Sequence, residues 1–312
     1  MQLRIRDFIE TEEGLYFAVV SYNHPKDRYL AFLRYYPDEK GDRTKNGIAF
    51  KKVSSTQNSY EYLRKNFPFY IYGNIQAVPK DKIKKIYFPF KGLERIYNEP
   101  KIKLEEKVIK VAEIFEEIPL NKKGVTGSLL IGMSNEYSDI DFVIYGRKNY
   151  EKAREILKES RELMLTKKEW YGVYKKRFPT EKTLSFEEFL WYEQRKYHKG
   201  KIEGTIFDVL FVRDFDEIPE RESKFKRIKK IKLRAKVIDA SFACDSPAIY
   251  KIKSDIASEV ASYTHTYALQ ALEGETIEVC GYLEKAIEKD YYRIIVGTTR
   301  EAEGEYIRVI QS

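Results

Sequence analysis

The sequence predicts an α+β protein in which a central domain of mixed strands and helices lies between two strand-rich domains. Residues 1–98 alternate short apolar runs with turn residues, a pattern typical of strands. From Leu104, apolar residues recur at helical spacing, and strand and helix patterns then follow one another to about residue 219. After that the chain is again rich in strand patterns, which glycines interrupt. We therefore predict three domains, at residues 1–98, 99–219 and 220–312.

The individual elements follow from the period of the apolar residues. Alternation with period two predicts strands, and spacings of three and four predict helices. The glycine-interrupted strands of the last domain fit a small barrel of the OB type, a frequent platform for nucleic acids. The predicted strands are 139–145, 205–212, 276–283 and 291–296, and the predicted helices are 104–115, 149–164 and 185–196.

The composition excludes several classes of protein. The chain has 312 residues and 43% hydrophobic side chains, which is enough to bury a core in each domain and too apolar for a disordered chain. No run of about 18 uncharged apolar residues occurs, so we expect a cytoplasmic protein without membrane spans. With two cysteines and three histidines, neither a disulfide framework nor zinc-ligand spacing is present, so any metal must be held by oxygen ligands.

The net charge of +8 is unevenly distributed along the chain. Residues 1–98 carry 18 basic and 11 acidic side chains, whereas residues 99–219 carry 23 of each. Between residues 224 and 236, eight of thirteen side chains are basic and alternate with apolar ones. Such a stripe can bind nucleic-acid phosphates, although a solvated strand face has the same pattern. The candidate nucleic-acid contacts are Lys226, Arg227, Lys229, Lys230, Lys232 and Arg234.

Two carboxylates alternate at the start of the strand predicted at 139–145. Asp139 and Asp141 are two residues apart, so in a strand they project to the same face. Like charges about 4 Å apart repel by on the order of 4 kcal/mol at an effective dielectric constant of 20, which favours a shared proton or a bound cation. Hard oxygen ligands suit Mg²⁺, which typically takes one or two carboxylates together with substrate phosphates.

Two further features complete a candidate site. Upstream, Gly127 and Ser128 form a turn whose backbone and hydroxyl groups can contact phosphate oxygens. Downstream, Asp208 is the single charge within the apolar strand predicted at 205–212, where an unpaired carboxylate is costly. A third carboxylate can complete a metal site and orient an attacking hydroxyl. Glu203 is the alternative third carboxylate.

The order Gly-Ser, then Asp-x-Asp, then a later strand Asp resembles the signature of the DNA polymerase β-like nucleotidyltransferase superfamily. Gly127, Ser128, Asp139, Asp141 and Asp208 match it, and the flanking segments resemble those of uncharacterised archaeal predicted nucleotidyltransferases. The resemblance implies transfer of a nucleoside monophosphate from an NTP to a hydroxyl acceptor, with release of pyrophosphate. It also implies two Mg²⁺ ions, for which Mn²⁺ can substitute. The implied catalytic and metal-binding residues are Asp139, Asp141 and Asp208, and the implied nucleotide-binding residues are Gly127, Ser128 and Gly132.

The sequence departs from the superfamily in one respect and leaves the acceptor open. Bulky Leu129, Leu130 and Ile131 follow the Gly-Ser pair, where many members have a small or basic residue. The basic stripe and the flanking domains favour nucleic acid, in particular an RNA end, as the acceptor. The alternatives are a protein or small-molecule acceptor, or a non-catalytic nucleic-acid-binding protein on the same fold. The basic side chain that usually contacts the phosphates after Gly-Ser is thus missing. The candidates to replace it are Arg147, Lys148, Arg195, Lys196 and Lys199.

Overall fold

The computed structural model describes residues 1–178, 183–220, 223–299 and 302–310. Within them the chain forms three β-sheets and seven α-helices, which confirms the predicted α+β class. None of these helices is long and apolar enough to span a membrane. The helices are α1 (Thr56–Asn66), α2 (Pro89–Asn98), α3 (Lys103–Ile114), α4 (Gly127–Leu130), α5 (Arg147–Glu159), α6 (Lys167–Arg177) and α7 (Phe186–Lys196).

The chain folds into two compact units. One comprises Met1–Leu165 and Tyr197–Pro219 and contains the first two sheets, and the other comprises Thr166–Lys196 and Glu220–Ser312 and contains the third. The predicted helices 104–115, 149–164 and 185–196 correspond to α3, α5 and α7. The division into three domains stays a prediction.

An antiparallel sheet of eight strands occupies the N-terminal part of the chain. Its order is β4-β5-β3-β2-β1-β8, with β7 beside β3 and β6 beside β7. In β3 every second residue from Tyr29 to Tyr35 is buried, as the period of a strand with one covered face requires. The strands are β1 (Phe8–Thr11), β2 (Tyr16–Val19), β3 (Arg28–Pro37), β4 (Arg43–Lys45), β5 (Ile48–Lys52), β6 (Ile71–Tyr72), β7 (Ile75–Pro79) and β8 (Ile83–Tyr87).

A second, mixed sheet carries the predicted site. Its order is β11-β12-β10-β9, and β10 and β12 are parallel while the other pairs are antiparallel. The strand predicted at 205–212 is present with the same bounds, and the one predicted at 139–145 begins one residue later. The strands are β9 (Lys123–Val125), β10 (Ile140–Tyr145), β11 (Lys199–Ile202) and β12 (Thr205–Val212).

Both faces of the β10–β12 pair are covered, which explains why these strands are apolar almost throughout. On one face Phe142 stacks on Phe115 at the end of α3, with ring centroids 5.7 Å apart. On the other face the N-terminal segment packs against the sheet. That cluster comprises Ile5, Tyr22, Val143, Tyr145, Leu210 and Val212.

The third sheet lies in the second compact unit. The pairings run from β13 through β14, β15, β17 and β16 and return to β13, while β18 pairs with β16. In this ring β15 and β17 are parallel and the other pairs are antiparallel. The strands are β13 (Phe225–Phe242), β14 (Ala248–Lys253), β15 (Glu259–Ser262), β16 (Thr276–Ala286), β17 (Tyr292–Val296) and β18 (Tyr306–Val309).

Candidate active site

Asp141 and Asp208 lie directly opposite each other on neighbouring strands. Strands β10 and β12 are parallel, and their register pairs Asp141 with Asp208. Because neighbouring strands lie about 4.8 Å apart and paired residues project to the same face, the two carboxylates are side by side. Both residues are partly buried. Burial raises the pKa of the Asp141 carboxyl above its usual range, and the charge of Asp208 raises it further.

Asp139, the other member of the predicted pair, lies one residue before β10 and is exposed to solvent. The preceding Ser138 is buried, and its hydroxyl accepts hydrogen bonds from Asn135 N at 2.9 Å and from Arg43 Nη1 at 2.8 Å. These bonds fix the chain immediately before Asp139. Asp139 therefore follows a hydrogen-bonded residue and directly precedes β10, the strand that carries Asp141.

The Gly-Ser turn presses against Asp141. Thr126 N donates to the backbone oxygen of Asp141 at 2.9 Å, and Gly127 follows with a φ of +66°. A Cβ on Gly127 would overlap Oδ2 of Asp141. Glycine is therefore required here both by its backbone conformation and by the carboxylate beside it. Ser128 is partly buried within α4, a helix of four residues.

The apolar residues after the Gly-Ser pair have a packing role. Leu130 and Ile131, together with Met133, form one buried cluster with aromatic side chains of the N-terminal sheet. Gly132 has a φ of +68° with open space where a Cβ would lie, so the backbone alone favours glycine there. The N-terminal sheet thus holds α4 in place. The aromatic members of the cluster are Phe8, Tyr16, Tyr35 and Phe50.

Lys199 contacts Asp208 across the β11–β12 pair. The register places Lys199 opposite Asp208, and its ammonium forms an ion pair with Oδ1 of that carboxylate. The Lys199 side chain is only 4% exposed. Lys199 is therefore the one residue of the five basic candidates that the structure places beside the carboxylates.

The other candidates lie elsewhere. Arg147 and Lys148 begin α5, beyond the far end of β10 and roughly 20 Å along the chain from Asp141. Arg195 and Lys196 belong to the other compact unit, where they pair with Glu275 at 2.6 Å and Glu193 at 2.7 Å. The alternative carboxylate Glu203 is exposed and pairs with Lys110, so the geometry favours Asp208 over Glu203.

Three cations of the N-terminal segment act on Asp141, and no local sequence pattern indicates them. The charges of Arg6, Lys52 and Arg34 all lower the pKa of the Asp141 carboxyl, against the raising effects of burial and Asp208. Arg6 lies in the turn before β1, and Arg34 and Lys52 lie on the neighbouring strands β3 and β5. Only the packing of the N-terminal sheet beside the second sheet brings them there.

Comparison with known proteins decides the family. The nucleotidyltransferase domain model matches residues 108–259, a range that contains the Gly-Ser turn and all three aspartates. The chain is also 44% identical, over 339 aligned positions, to the uncharacterised protein MJ1086 of Methanocaldococcus jannaschii, with 99% of each chain covered. The chain belongs to the nucleotidyltransferase family. No solved structure matches it.

Membership of the nucleotidyltransferase family supports general nucleotidyl transfer as the activity, with an NTP as substrate. Nucleotidyltransferase domains generally use divalent metals. In the part of this chain that the structure describes, no group of three or more Asp, Glu, His or Cys side chains is assembled as a metal site. The donor chemistry nevertheless fits a hard cation, because Asp141 and Asp208 are adjacent carboxylates whose mutual repulsion a cation would relieve.

The predicted nucleic-acid contacts of the nucleotidyltransferase lie on β13, in the second compact unit. All six are exposed. Glu278 on the adjacent β16 forms ion pairs of 2.9 Å with both Lys232 and Arg234, and Glu284 lies 3.9 Å from Arg227. Among the described residues, no carboxylate oxygen lies within 4.0 Å of the ammonium groups of Lys226, Lys229 and Lys230. Three of these six cations therefore have a carboxylate neighbour on β16, which supplies two negative charges.

Proposed function

We propose that the protein is a Mg²⁺-dependent nucleotidyltransferase that moves a nucleoside monophosphate from an NTP to a hydroxyl acceptor, which we infer to be an RNA end. The observation that carries this proposal is the register of Asp141 with Asp208, beside the Gly127 turn. A pair of partly buried like charges is costly to a fold and is typical of a site that binds a cation or moves a proton.

Asp139 and Asp141 would hold Mg²⁺, with Asp208 as a further ligand. The metal would neutralise charge on the carboxylates and on the phosphate oxygens. Gly127 leaves room against the Asp141 carboxylate that any side chain would fill, and Ser128 can donate its hydroxyl to a phosphate oxygen.

Asp208 would orient the acceptor hydroxyl and accept its proton. The hydroxyl oxygen attacks the α-phosphorus, the bond from that phosphorus to the bridging oxygen breaks, and pyrophosphate leaves with the electron pair. Lys199 compensates the charge of Asp208 and holds its carboxylate in place.

The test is pyrophosphate release with each of the four NTPs, Mg²⁺ and cellular RNA. Asp141→Asn is expected to reduce release to background, and Asp208→Asn to reduce it by about 100- to 10,000-fold, the range for a lost general base. The matched control is Asp216→Asn, because Asp216 is an exposed aspartate of the same compact unit and should retain full activity. Unchanged release in Asp141→Asn would overturn the proposal.

The preference for RNA is supported by two features of the second unit. The ring of five strands, with β15 and β17 parallel, has the connectivity expected of an OB-like barrel. The ammonium groups of Lys226, Lys229 and Lys230 are exposed on β13, where they can contact phosphates.

RNA as acceptor can be tested with a short single-stranded RNA that ends in a 3′-hydroxyl or a 3′-phosphate. Label from an α-labelled NTP should enter only the former. Lys229→Glu with Lys230→Glu should weaken RNA binding and flatten its salt dependence by about two contacts. The charge-matched control is Lys253→Glu with Lys289→Glu, two exposed lysines of the same unit outside the stripe.

A protein or small-molecule acceptor is the second candidate. Glu278 and Glu284 favour it, because they pair with three cations of the basic stripe and so reduce its attraction for phosphates. Incubation of a cell extract with α-labelled NTP separates the two: label in protein or in low-mass compounds, with none in RNA, would establish this alternative. Any Mg²⁺-dependent transfer would exclude a non-catalytic nucleic-acid-binding role.

A further inference from the structure

The N-terminal segment supplies a cluster of cations to the site, outside the residues that match the nucleotidyltransferase domain. Arg6, Arg34 and Lys52 all precede residue 108, where that match begins. Arg34 is partly buried on β3, and Lys52 is exposed at the end of β5. The register pairs Lys52 with Tyr35, the neighbour of Arg34, so the two cations lie on adjacent strands.

Arg6 is held in an unfavourable backbone conformation by several contacts. Its φ is +77°, a region that side chains other than Asn, Asp and Gly rarely adopt. The turn is closed by the Asp7 carboxylate, which accepts from Arg4 N at 2.8 Å. The backbone oxygen of Arg6 accepts from the Thr126 hydroxyl at 2.7 Å. Thr126 in turn donates its N–H to the backbone oxygen of Asp141, so the turn is fixed to the site itself.

The neighbouring Arg4 anchors the same turn to the second sheet. Its guanidinium lies 4.1 Å from the ring centroids of both Tyr145 and Phe215, and its Nη1 donates to the backbone oxygen of Arg213 at 3.2 Å. Strained residues persist only where the surroundings over-determine them, and they cluster at functional sites. The contacts of Arg4 and Thr126 provide that constraint for Arg6.

The Arg6 side chain is incompletely satisfied by the protein. Its Nε is buried and has no hydrogen-bond partner among the described residues. Burial lowers the pKa of the guanidinium, and the charge of Asp141 is the largest opposing influence, with Asp208 also contributing. An unpaired buried N–H donor costs free energy. Here it belongs to a guanidinium beside the Asp141–Asp208 pair, and we expect an anionic ligand to supply the missing acceptor.

We propose that Arg6, supported by Arg34 and Lys52, binds the triphosphate of the NTP. This inference rests on the proposed function and assigns the part of the site that contacts the leaving group. The planar guanidinium can form two parallel hydrogen bonds to phosphate oxygens, which a lysine cannot. The N-terminal segment is then part of the nucleotide-binding site and supplies the basic side chain missing after the Gly-Ser pair.

The first experiment measures binding of inorganic tripolyphosphate to the full-length protein by calorimetry in metal-free buffer. Arg6→Gly removes the guanidinium and relieves the positive φ, so the fold should be retained, with a melting temperature within about 3 °C of the wild type. Its affinity for tripolyphosphate should fall by about 10- to 100-fold, as expected for a lost charge-assisted hydrogen bond. Arg6→Lys should lose about 10-fold, because the charge remains without the bidentate geometry.

Arg34→Met and Lys52→Met should each weaken binding by about 3- to 10-fold, since they contribute charge around the site. Lys51→Met is the matched control. Lys51 is the exposed neighbour of Lys52 on β5, and adjacent residues of a strand project to opposite faces of the sheet. Its affinity should equal that of the wild type. Unchanged tripolyphosphate affinity in Arg6→Gly would overturn the proposal and leave Arg6 as a structural counter-ion of Asp141.

A second readout separates this inference from the proposed function. If transfer occurs and depends on Asp141, but Arg6→Gly leaves both the KM for NTP and the tripolyphosphate affinity unchanged, the inference fails and the function stands. If no NTP is turned over, yet the protein binds tripolyphosphate and Arg6→Gly weakens that binding, the proposed function fails and the assignment of Arg6 as a phosphate-binding residue stands.

Discussion

Asp141 and Glu278 are two carboxylates of one chain in opposite electrostatic environments. Asp141 is partly buried beside another carboxylate, and both burial and Asp208 raise the pKa of its carboxyl. Glu278 accepts from Lys232, Tyr306 and Arg234, which lower the pKa of its carboxyl to about 2. In the first arrangement burial and the like charge outweigh the nearby cations, Lys199 included, whereas in the second the partners of the carboxylate outweigh its burial.

Charge indicates function more reliably in the first environment than in the second. Ion pairs with exposed side chains, such as those of Glu278, contribute little and are screened by salt. Like charges on adjacent positions of a buried sheet are costly, so their presence points to a ligand that compensates them. The β10–β12 pair is thus a stronger indication of function than the basic stripe on β13.

The largest expected effect comes from removing the cation beside the carboxylate pair. Lys199→Met removes the ion pair with Asp208 beside Asp141, and it should lower the free energy of unfolding by about 3–5 kcal/mol, the usual cost of breaking a buried ion pair from one side. Urea denaturation measures this. Mg²⁺ should stabilise the variant more than the wild type, because the metal replaces the missing cation.

The double variant Lys199→Met with Asp208→Asn is the control, since it removes both charges and should recover most of the loss. Equal stability of Lys199→Met and the wild type would show that the ion pair does not offset the repulsion, and the contrast with Glu278 would then lose its energetic basis.

Gly127→Ala tests whether the space beside Asp141 matters. A Cβ there overlaps the carboxylate and imposes a positive φ on alanine, so pyrophosphate release should fall by about 100-fold, as expected when a reacting group is displaced by roughly 1 Å. The matched control is Gly73→Ala, because Gly73 has a φ of +59° with nothing near its Cβ position. It should lose about 1 kcal/mol of stability and no activity. Comparable activity losses in both variants would contradict the steric role of Gly127.

Sequence periodicity was sufficient for the elements that carry Asp141 and Asp208, whereas Asp139 lies before β10 and not on it as predicted. The alternation in β10, the apolar run of β12 and the helical spacing of α3 are local patterns, and each is present in the structure. The pairing of Asp141 with Asp208 followed from the expectation that a lone carboxylate in an apolar strand must be compensated.

The rest of the site could not be predicted because it depends on contacts between distant parts of the chain. Arg6 is tied to Thr126, 120 residues away, and nothing in the sequence around Arg6 indicates a φ of +77°. Leu130 and Ile131 depart from the family pattern because they pack on aromatic residues of β1, β2, β3 and β5. Similarly, the basic stripe gave no indication that β16 places Glu278 opposite Arg234.

Asp7 separates the effect of burial from that of a like charge. It is 3% exposed, and burial raises the pKa of its carboxyl to about 7, while the Arg4 N–H and side chain act in the opposite direction. Because the folded-state pKa is above the unfolded one, the contribution of Asp7 to stability is fully present below the unfolded pKa of about 4 and is lost as the pH rises towards 7. Between pH 5 and pH 7 the wild type should lose about 2 kcal/mol relative to Asp7→Asn, measured by urea denaturation at several pH values. If the free energy of unfolding changes with pH in the same way in both proteins, burial alone does not raise the pKa of the Asp7 carboxyl.

The smallest expected effect on stability is that of Glu278, the other carboxylate of the comparison with Asp141. Glu278→Gln keeps an oxygen acceptor for Tyr306 but loses the single negative charge that pairs with both Lys232 and Arg234, whose side chains are 59% and 70% exposed. Stability should change by less than about 1 kcal/mol. If the stripe binds RNA, affinity should rise and the salt dependence should steepen by about one phosphate contact, whereas the exposed Glu273→Gln should change neither. A loss of several kcal/mol would show that the ion pairs of Glu278, whose partners are exposed, are as important to the fold as the pair of Lys199 with Asp208. Unchanged RNA binding would instead indicate that the stripe is a solvated face and would favour a protein or small-molecule acceptor.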